Sequence, residues 1–173
     1  MDTTSAAITP GMATAAPRPN VLLAIIVGGL IAGALDATAA FIAVGPGMPR
    51  AIASGLLGAS AFKGGAATWI LGLLLHFLIA LCAAAVYGLA SWRLGFLKSN
   101  FFVCGVFYGI AIYLVMNLVV LPLSAIPFPI GPFTVAKLYQ GLLVHMFLVG
   151  LPISMSLRYL AHGGGVGPPV RDR

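Results

Sequence analysis

The chain has 173 residues, of which 61% are hydrophobic and only 7% are charged, and its mean hydropathy is +1.09. Because soluble domains carry about 25% charged residues, this composition excludes an ordinary soluble protein and indicates an integral membrane protein. The net charge of +6 comes from Lys and Arg residues scattered between and beside the apolar segments. Because they form no basic run, these residues indicate membrane topology rather than nucleic-acid binding, and we expect no nucleic-acid partner.

The first apolar segment predicts span 1 at residues 21–44, after an Ala/Thr/Pro-rich stretch that we expect to be a disordered cytoplasmic tail, residues 1–20. Span 1 ends at Gly45-Pro46-Gly47, which has the composition of a helix stop and turn. The alternative is a cleaved signal peptide, because Ala37–Ala39 resembles a cleavage site. The tail is long and Asp36 adjoins that site, so we expect the segment to be retained.

Residues 48–65 are too polar and too rich in Gly to cross a bilayer. Ile52, Leu56 and Leu57 fall together at helical spacing, which predicts a short interfacial helix near 48–60. A re-entrant hairpin is the alternative.

Three further apolar segments are long enough to span the membrane: residues 68–91, 101–121 and 138–160. Trp69 and Trp92 lie near the two ends of span 2, as interfacial anchors do. We expect Pro122 to stop span 3 and the proline-rich segment up to Lys137 to be rigid and extended. The predicted fold is therefore an all-α membrane protein, a four-transmembrane-helix bundle of up-down-up-down topology over residues 21–160, followed by a flexible cytoplasmic tail, 161–173.

The basic residues predict the orientation of this bundle. Four spans put both termini on one side, which carries Arg18, Arg93, Lys98, Arg158, Arg171 and Arg173, whereas the other side carries Arg50, Lys63 and Lys137. The positive-inside rule then puts both termini in the cytoplasm.

The spans also show a weak internal repeat. Spans 1 and 3 each carry a G-x3-G pattern, at Gly29/Gly33 and Gly105/Gly109, with a proline thirteen residues later. Spans 2 and 4 each carry a G-x3-H pattern, at Gly72/His76 and Gly141/His145. The pattern favours two copies of one hairpin, related by an axis along the membrane normal, although coincidence is a serious alternative in a chain with 22 glycines.

Among the polar residues inside the predicted spans, Asp36, His76, Asn117 and His145 fall at about one level of the bilayer. Asp36 is the only acidic residue outside the extreme tails, and a carboxylate at membrane depth needs a partner or a proton. A rise of about 1.5 Å per residue puts Asp36, His76 and His145 roughly 12 Å below the outer surface, with Asn117 slightly closer to it. We therefore predict a polar intramembrane site at these four residues, in which Asp36 faces His76 and His145.

Three interpretations of this site stay open. The first is a purely structural layer that fixes which helices pair. The second is a proton- or ion-linked transport or accessory subunit, because a carboxylate beside imidazoles suits a proton relay. Four short spans make a small carrier, so besides the lipid bilayer we expect a homodimer or a partner membrane subunit. The third is a site for a metal, with Asp36, His76 and His145 as ligands, or for a b-type haem between His76 and His145.

Catalytic residues are not predicted. Ser54 and Ser60 lack the context of a nucleophile elbow, and the Gly-rich stretches precede no phosphate-binding helix, so an enzyme is the less favoured class. Cys82 and Cys104 fall inside spans without metal-ligand spacing, and we expect small core residues rather than a disulfide. The sequence does not fix a cofactor, and none is the simplest expectation.

Several stretches carry a resemblance to a known group: GLIAGALDATAAFI, IASGLLGASAFKGG, TWILGLLLHFLIAL and VVLPLSAIP, within residues 28–128. In these stretches the chain resembles a family of uncharacterised bacterial multi-pass inner-membrane proteins, a domain of unknown function. The resemblance implies location in the bacterial inner membrane and implies no catalytic residues.

Overall fold

The computed structural model describes residues 20–129 and 134–161. Within these ranges four helices are long and apolar enough to cross a membrane: span 1 is Val21–Val44, span 2 Gly65–Arg93, span 3 Phe101–Leu123 and span 4 Val135–Leu160. A short helix, Met48–Leu57, follows span 1 and continues as the 3₁₀ helix Gly58–Phe62. A one-turn helix, Phe96–Ser99, joins spans 2 and 3. The chain is an all-α multi-pass membrane protein with an up-down-up-down four-helix bundle, as the sequence predicts.

The helix bounds follow local capping. Span 1 begins after Asn20, whose side chain accepts a hydrogen bond from the backbone N–H of Leu23, and it occupies the predicted residues. Span 4 begins three residues earlier than predicted because Thr134 caps it, accepting from the N–H of Lys137. Span 2 also starts earlier than predicted, at Gly65, and ends later, at Arg93, and it has no side-chain cap at Gly64. The predicted tails, 1–20 and 161–173, lie outside the described residues except for Asn20 and Ala161.

Inside spans 3 and 4, a wide π turn comes just before a proline. Met116–Val120 precedes Pro122 in span 3, and His145–Gly150 precedes Pro152 in span 4. A proline ring collides with the carbonyl one turn earlier in a regular α-helix, and a wider turn moves that carbonyl away. The prediction that Pro122 stops span 3 is therefore wrong, since the helix continues to Leu123.

The four spans do not surround the bundle axis evenly. Span 1 packs against spans 2 and 4, and span 3 packs against span 4. In the described residues, the backbones of spans 2 and 3 do not come as close together as those of the other packed pairs. These two spans meet through side chains instead. We call this line of contact the 2–3 seam.

Glycines allow the close helix contacts. A Cβ at Gly29 or Gly33 would meet Leu81, Phe77 and Ala80 of span 2. A Cβ at Gly109 would overlap the backbone of His145 and Met146, and one at Gly105 would overlap Ser154. Small residues at helix interfaces let backbones approach, so both G-x3-G patterns hold the two helices of one hairpin together.

One end of the bundle is closed by a roof, which consists of the short helix and residues 124–128. The backbone N–H of Ala125 donates to the carbonyl of Gly55 over 2.8 Å, and the rings of Phe62 and Phe128 lie edge to face at 6.3 Å. The short helix packs on span 2, where the missing side chain of Gly72 leaves room for the Pro49 carbonyl. The short helix predicted near 48–60 is thus confirmed as a helix. We call this end of the bundle the roofed end.

The opposite end carries the loop between spans 2 and 3 and the last turn of span 4. There the Arg158 guanidinium donates to the carbonyl of Lys98 over 3.3 Å. We call it the loop end. The main hydrophobic core lies toward this end and consists of Ala24, Ala32, Ala84, Tyr87, Val149, Ile153, Leu157 and Ala161.

Candidate intramembrane polar site

A cavity of about 390 Å³ lies beneath the roof, between all four spans. Its walls are mostly aliphatic, with polar side chains at Asp36, His76, Ser124 and His145. Three of the four residues predicted from the sequence therefore face one common space. This arrangement resembles a small-molecule site, in which apolar walls surround a few convergent polar groups.

His76 is held by the backbone of span 1. Its Nε2 lies 2.9 Å from the carbonyl oxygen of Gly33. A carbonyl oxygen only accepts, so Nε2 carries the proton and donates this bond. His76 is buried, with 9% of its surface exposed, and its ring lies edge to face against Phe77. The bond joins spans 1 and 2 at the depth of the cavity.

Asp36 lies one turn further along span 1, beside the same imidazole. The distance from its Oδ2 to His76 Nε2 is 4.0 Å, which is an ion-pair distance rather than a hydrogen bond. About 23% of its side chain is exposed, and the residue lines the cavity. Within the described residues its carboxylate accepts no hydrogen bond, so its oxygens remain free to bind a ligand.

His145 approaches the cavity from span 4. Its Nδ1 lies 2.8 Å from the carbonyl oxygen of Gly141 on the same helix, so Nδ1 donates and Nε2 is left open. Tyr113 of span 3 packs edge to face on the imidazole, with ring centroids 5.3 Å apart. The absence of a side chain at Gly141 makes room for the Tyr113 ring.

Asn117 is not part of this group. Its amide donates to the carbonyl of Tyr113 on its own helix over 2.9 Å, and Asn117 does not appear among the described residues that line the cavity. Depth alone predicted its place in the layer, whereas the direction of its side chain is decided by the local helix bond.

For a metal ion, the site offers two imidazoles. In each, one ring nitrogen is bonded to a backbone carbonyl and the other is open. Over residues 20–129 and 134–161, no three His, Cys, Asp or Glu side chains are grouped closely enough to hold a metal ion. Cys82 and Cys104 are free thiols. The prediction that both are small core residues is wrong for Cys82, which is exposed on the side of its helix, whereas Cys104 is half-buried.

Two tyrosines at the 2–3 seam were missed by the sequence reasoning. The hydroxyl of Tyr108 donates to the carbonyl of Ala83 over 2.7 Å, and its ring lies 4.9 Å from that of Tyr87. The hydroxyl of Tyr87 donates to the carbonyl of Leu97 over 3.1 Å. A hydroxyl at membrane depth must find an acceptor, and both tyrosines lie about two turns from the loop end, so a depth count would have paired them.

The tyrosine pair separates two spaces along the seam. On the roofed side, Ala83 and Ile112 line the cavity. On the loop side, Tyr87 and Tyr108 line an open crevice of about 670 Å³ between spans 2 and 3. We call Tyr87 and Tyr108 the tyrosine bridge.

The cavity also brings together positions related by the internal repeat. Asp36 and Ile112 each lie three residues after the second glycine of their G-x3-G pattern, and both line the cavity. His76 and His145 correspond in the same way. In both hairpins that second glycine packs on the residue after the histidine, Gly33 on Phe77 and Gly109 on Met146. The two hairpins therefore share their packing, but only one carries a carboxylate.

Comparison with known proteins gives no match: neither a protein-family model, nor a curated protein, nor a solved structure matches the chain. The resemblance to a family of bacterial inner-membrane proteins stays a prediction.

Proposed function

We propose that this chain is a small multi-pass protein of the bacterial inner membrane that acts as a proton- or ion-linked transport subunit, or as an accessory subunit of such a system. The observation that carries the proposal is the pairing of Asp36 with His76 on the wall of an intramembrane cavity. An ionisable carboxylate inside a span is costly and faces a partner or a pathway, as it does in proton relays. Asp36 faces both.

The 2–3 seam supports movement through the bundle. The cavity and the crevice lie on the two sides of the tyrosine bridge. Among the described residues, spans 2 and 3 lack the close backbone contact that joins spans 1 and 2, spans 1 and 4, and spans 3 and 4, and the hydrogen bond from Tyr108 to Ala83 links them. A seam with few close contacts is the part of a bundle that opens at least cost.

The orientation in this proposal follows the basic residues. Arg93, Lys98 and Arg158 lie at the loop end, and Arg50, Lys63 and Lys137 near the roofed end. The predicted bias of six basic residues to three comes from counting Arg18, Arg171 and Arg173 of the tails with the loop end. With both termini in the cytoplasm, the loop end faces the cytoplasm and the roof faces outward. The small size of the bundle favours a homodimer or a partner membrane subunit as the working unit.

The test is proton movement in proteoliposomes that contain the purified full chain. A potassium gradient with valinomycin sets the potential, and a trapped pH dye reports the flux. We expect flux above that of empty vesicles, and its loss in Asp36→Asn, which keeps the shape of the side chain. Asn117→Leu, which changes a polar residue off the cavity, is the matched control and should retain the flux.

Infrared spectroscopy gives a second, independent reading. Asp36 is the only acidic side chain among the described residues, so a protonated carboxyl band that is absent from Asp36→Asn belongs to it. Equal flux and identical carboxyl bands in the wild type and Asp36→Asn would overturn the proposal and leave a structural polar layer.

A further inference from the structure

We propose that the cavity binds a small, mostly apolar molecule with a protonated amine, and that the carboxylate of Asp36 holds the ammonium group. The inference rests on the proposed function, since it names the class of ion that the site handles. It is carried by the hydrogen-bond roles of the polar groups that line the cavity.

Both imidazoles have already used a donor. His76 donates Nε2–H to Gly33 and His145 donates Nδ1–H to Gly141. In a neutral imidazole the second nitrogen is an acceptor. Each ring in its neutral form therefore offers a ligand a lone pair rather than a proton.

The remaining polar groups of the cavity also accept. The hydroxyl proton of Ser124 is donated to the carbonyl of Leu121 over 2.6 Å, which leaves the oxygen lone pairs open. In its ionised form, Asp36 only accepts hydrogen bonds. Neither Lys nor Arg lines the cavity within the described residues. A ligand that fits must donate hydrogen bonds and carry positive charge, which excludes carboxylates and phosphates.

The walls favour an organic cation over a bare metal cation. Hard cations such as Ca²⁺ take about six to eight oxygen ligands, whereas the side chains here supply oxygen only from Asp36 and Ser124. The rest of the lining is apolar, with Ile79, Ile112 and Val149 among its residues. A volume of about 390 Å³ suits a small molecule, so an apolar body would fill the space while its ammonium group lies against Asp36.

The energetic balance favours a charged head group. A carboxylate that accepts no hydrogen bond in apolar surroundings is costly, and an ammonium ion offsets that cost through a charge-assisted hydrogen bond. A neutral donor of the same shape offsets less. The site should therefore prefer an amine over the corresponding alcohol.

The experiment is calorimetric titration of the full chain in lipid nanodiscs, with empty nanodiscs as the blank. The probes share one aromatic body: 2-phenylethylamine, 2-phenylethanol and phenylacetate. We expect the amine to bind most tightly and phenylacetate not to bind. Hydrogen bonds to charged groups predict that Asp36→Asn weakens amine binding by roughly tenfold to a hundredfold.

Two further variants keep the test decisive. Ile112→Phe narrows the cavity without touching Asp36 and should also weaken amine binding, whereas Asn117→Leu should leave it within about twofold of the wild type. Circular dichroism and gel filtration confirm that each variant is folded. Equal binding of amine and alcohol, unchanged amine binding in folded Asp36→Asn, or displacement of the amine by equimolar NaCl would each overturn the inference.

The two proposals fail separately. Asp36-dependent proton flux without amine binding would refute the ligand class and keep the function. Asp36-dependent amine binding without proton flux in any vesicle would refute the transport function and keep the binding site.

Discussion

His76 donates a hydrogen bond from Nε2 to the carbonyl oxygen of Gly33 over 2.9 Å, while the Asp36 carboxylate lies 4.0 Å from the same nitrogen. The imidazole is thus fixed by the backbone of span 1 rather than by the acid. Its orientation does not depend on whether Asp36 is charged or occupied. Asp36 can therefore exchange its partner without releasing the contact between spans 1 and 2.

This bond predicts a measurable share of stability. Replacing His76 by Leu removes the donor, and hydrogen bonds between membrane helices contribute about 0.6 kcal/mol on average and about 1.7 at most. We expect the free energy of unfolding of His76→Leu in mixed micelles to fall by about 1 kcal/mol. His76→Gln places an N–H near the position of Nε2 and should recover part of the loss. Equal stability of all three proteins would show that the bond contributes nothing.

The contact of spans 3 and 4 is predicted to tolerate no added methyl group at Gly109. A Cβ there would overlap the backbone of His145 and Met146, and overpacking costs typically about 1–3 kcal/mol. We expect Gly109→Ala to lower the unfolding free energy by about that amount. Gly95→Ala is the control, because a Cβ at Gly95 has no neighbour within 4 Å. Equal effects of the two substitutions would contradict the close packing.

The tyrosine bridge is predicted to limit access between the cavity and the crevice. Tyr108→Phe keeps the ring beside Tyr87 and removes only the hydroxyl bond to Ala83. In a background without Cys82 and Cys104, the substitution Ile112→Cys reports access to the cavity. We expect a membrane-impermeant thiol reagent added at the loop end to label Ile112→Cys faster when Tyr108→Phe is also present.

The labelling experiment has an internal check. Reagent added at the roofed end should label Ile112→Cys at the same rate whether or not the Tyr108→Phe substitution is present. A rate from the loop end that does not change would show that the hydroxyl bond is no barrier.

The internal repeat predicts that the carboxylate can be moved. Position 112 in span 3 corresponds to position 36 in span 1, and both line the cavity. Asp36→Ile alone should abolish amine binding. The double variant Asp36→Ile with Ile112→Asp puts the carboxylate on the wall shared with His145, and we expect it to restore part of that binding. A double variant that binds no better than Asp36→Ile would argue against the correspondence.

The sequence predicts the four spans and the depth of the polar residues because both depend on distance along a helix. Span length and a rise of about 1.5 Å per residue were sufficient to bring Asp36, His76 and His145 to one cavity. Asn117 shares their depth, but its amide is used by its own helix. The exclusion of Asn117 from the site could not be predicted, because depth gives the position of a residue along the helix axis but not the direction in which its side chain points.

Other features depend on neighbours that one sequence does not specify. The order of helices around the bundle, with a loosely packed 2–3 seam, is not encoded in spacing. The continuation of span 3 past Pro122 depends on a π turn that accommodates the ring. The tyrosine bridge joins two helices through the main-chain carbonyl of Ala83. The position of a main-chain carbonyl cannot be predicted from the amino-acid composition.

The depth of Asp36 also makes it sensitive to voltage. It lies eight residues before the end of span 1 at Val44, which corresponds to about 12 Å of a hydrocarbon core about 30 Å thick. A cation that reaches Asp36 from the roofed end therefore crosses about two fifths of the membrane's electric field. A full crossing is worth about 2.3 kcal/mol per 100 mV, so this partial crossing corresponds to about 1 kcal/mol. Occupancy of Asp36 by a cation should therefore change several-fold with every change of about 100 mV in the membrane potential, so the potential itself should regulate binding at the site.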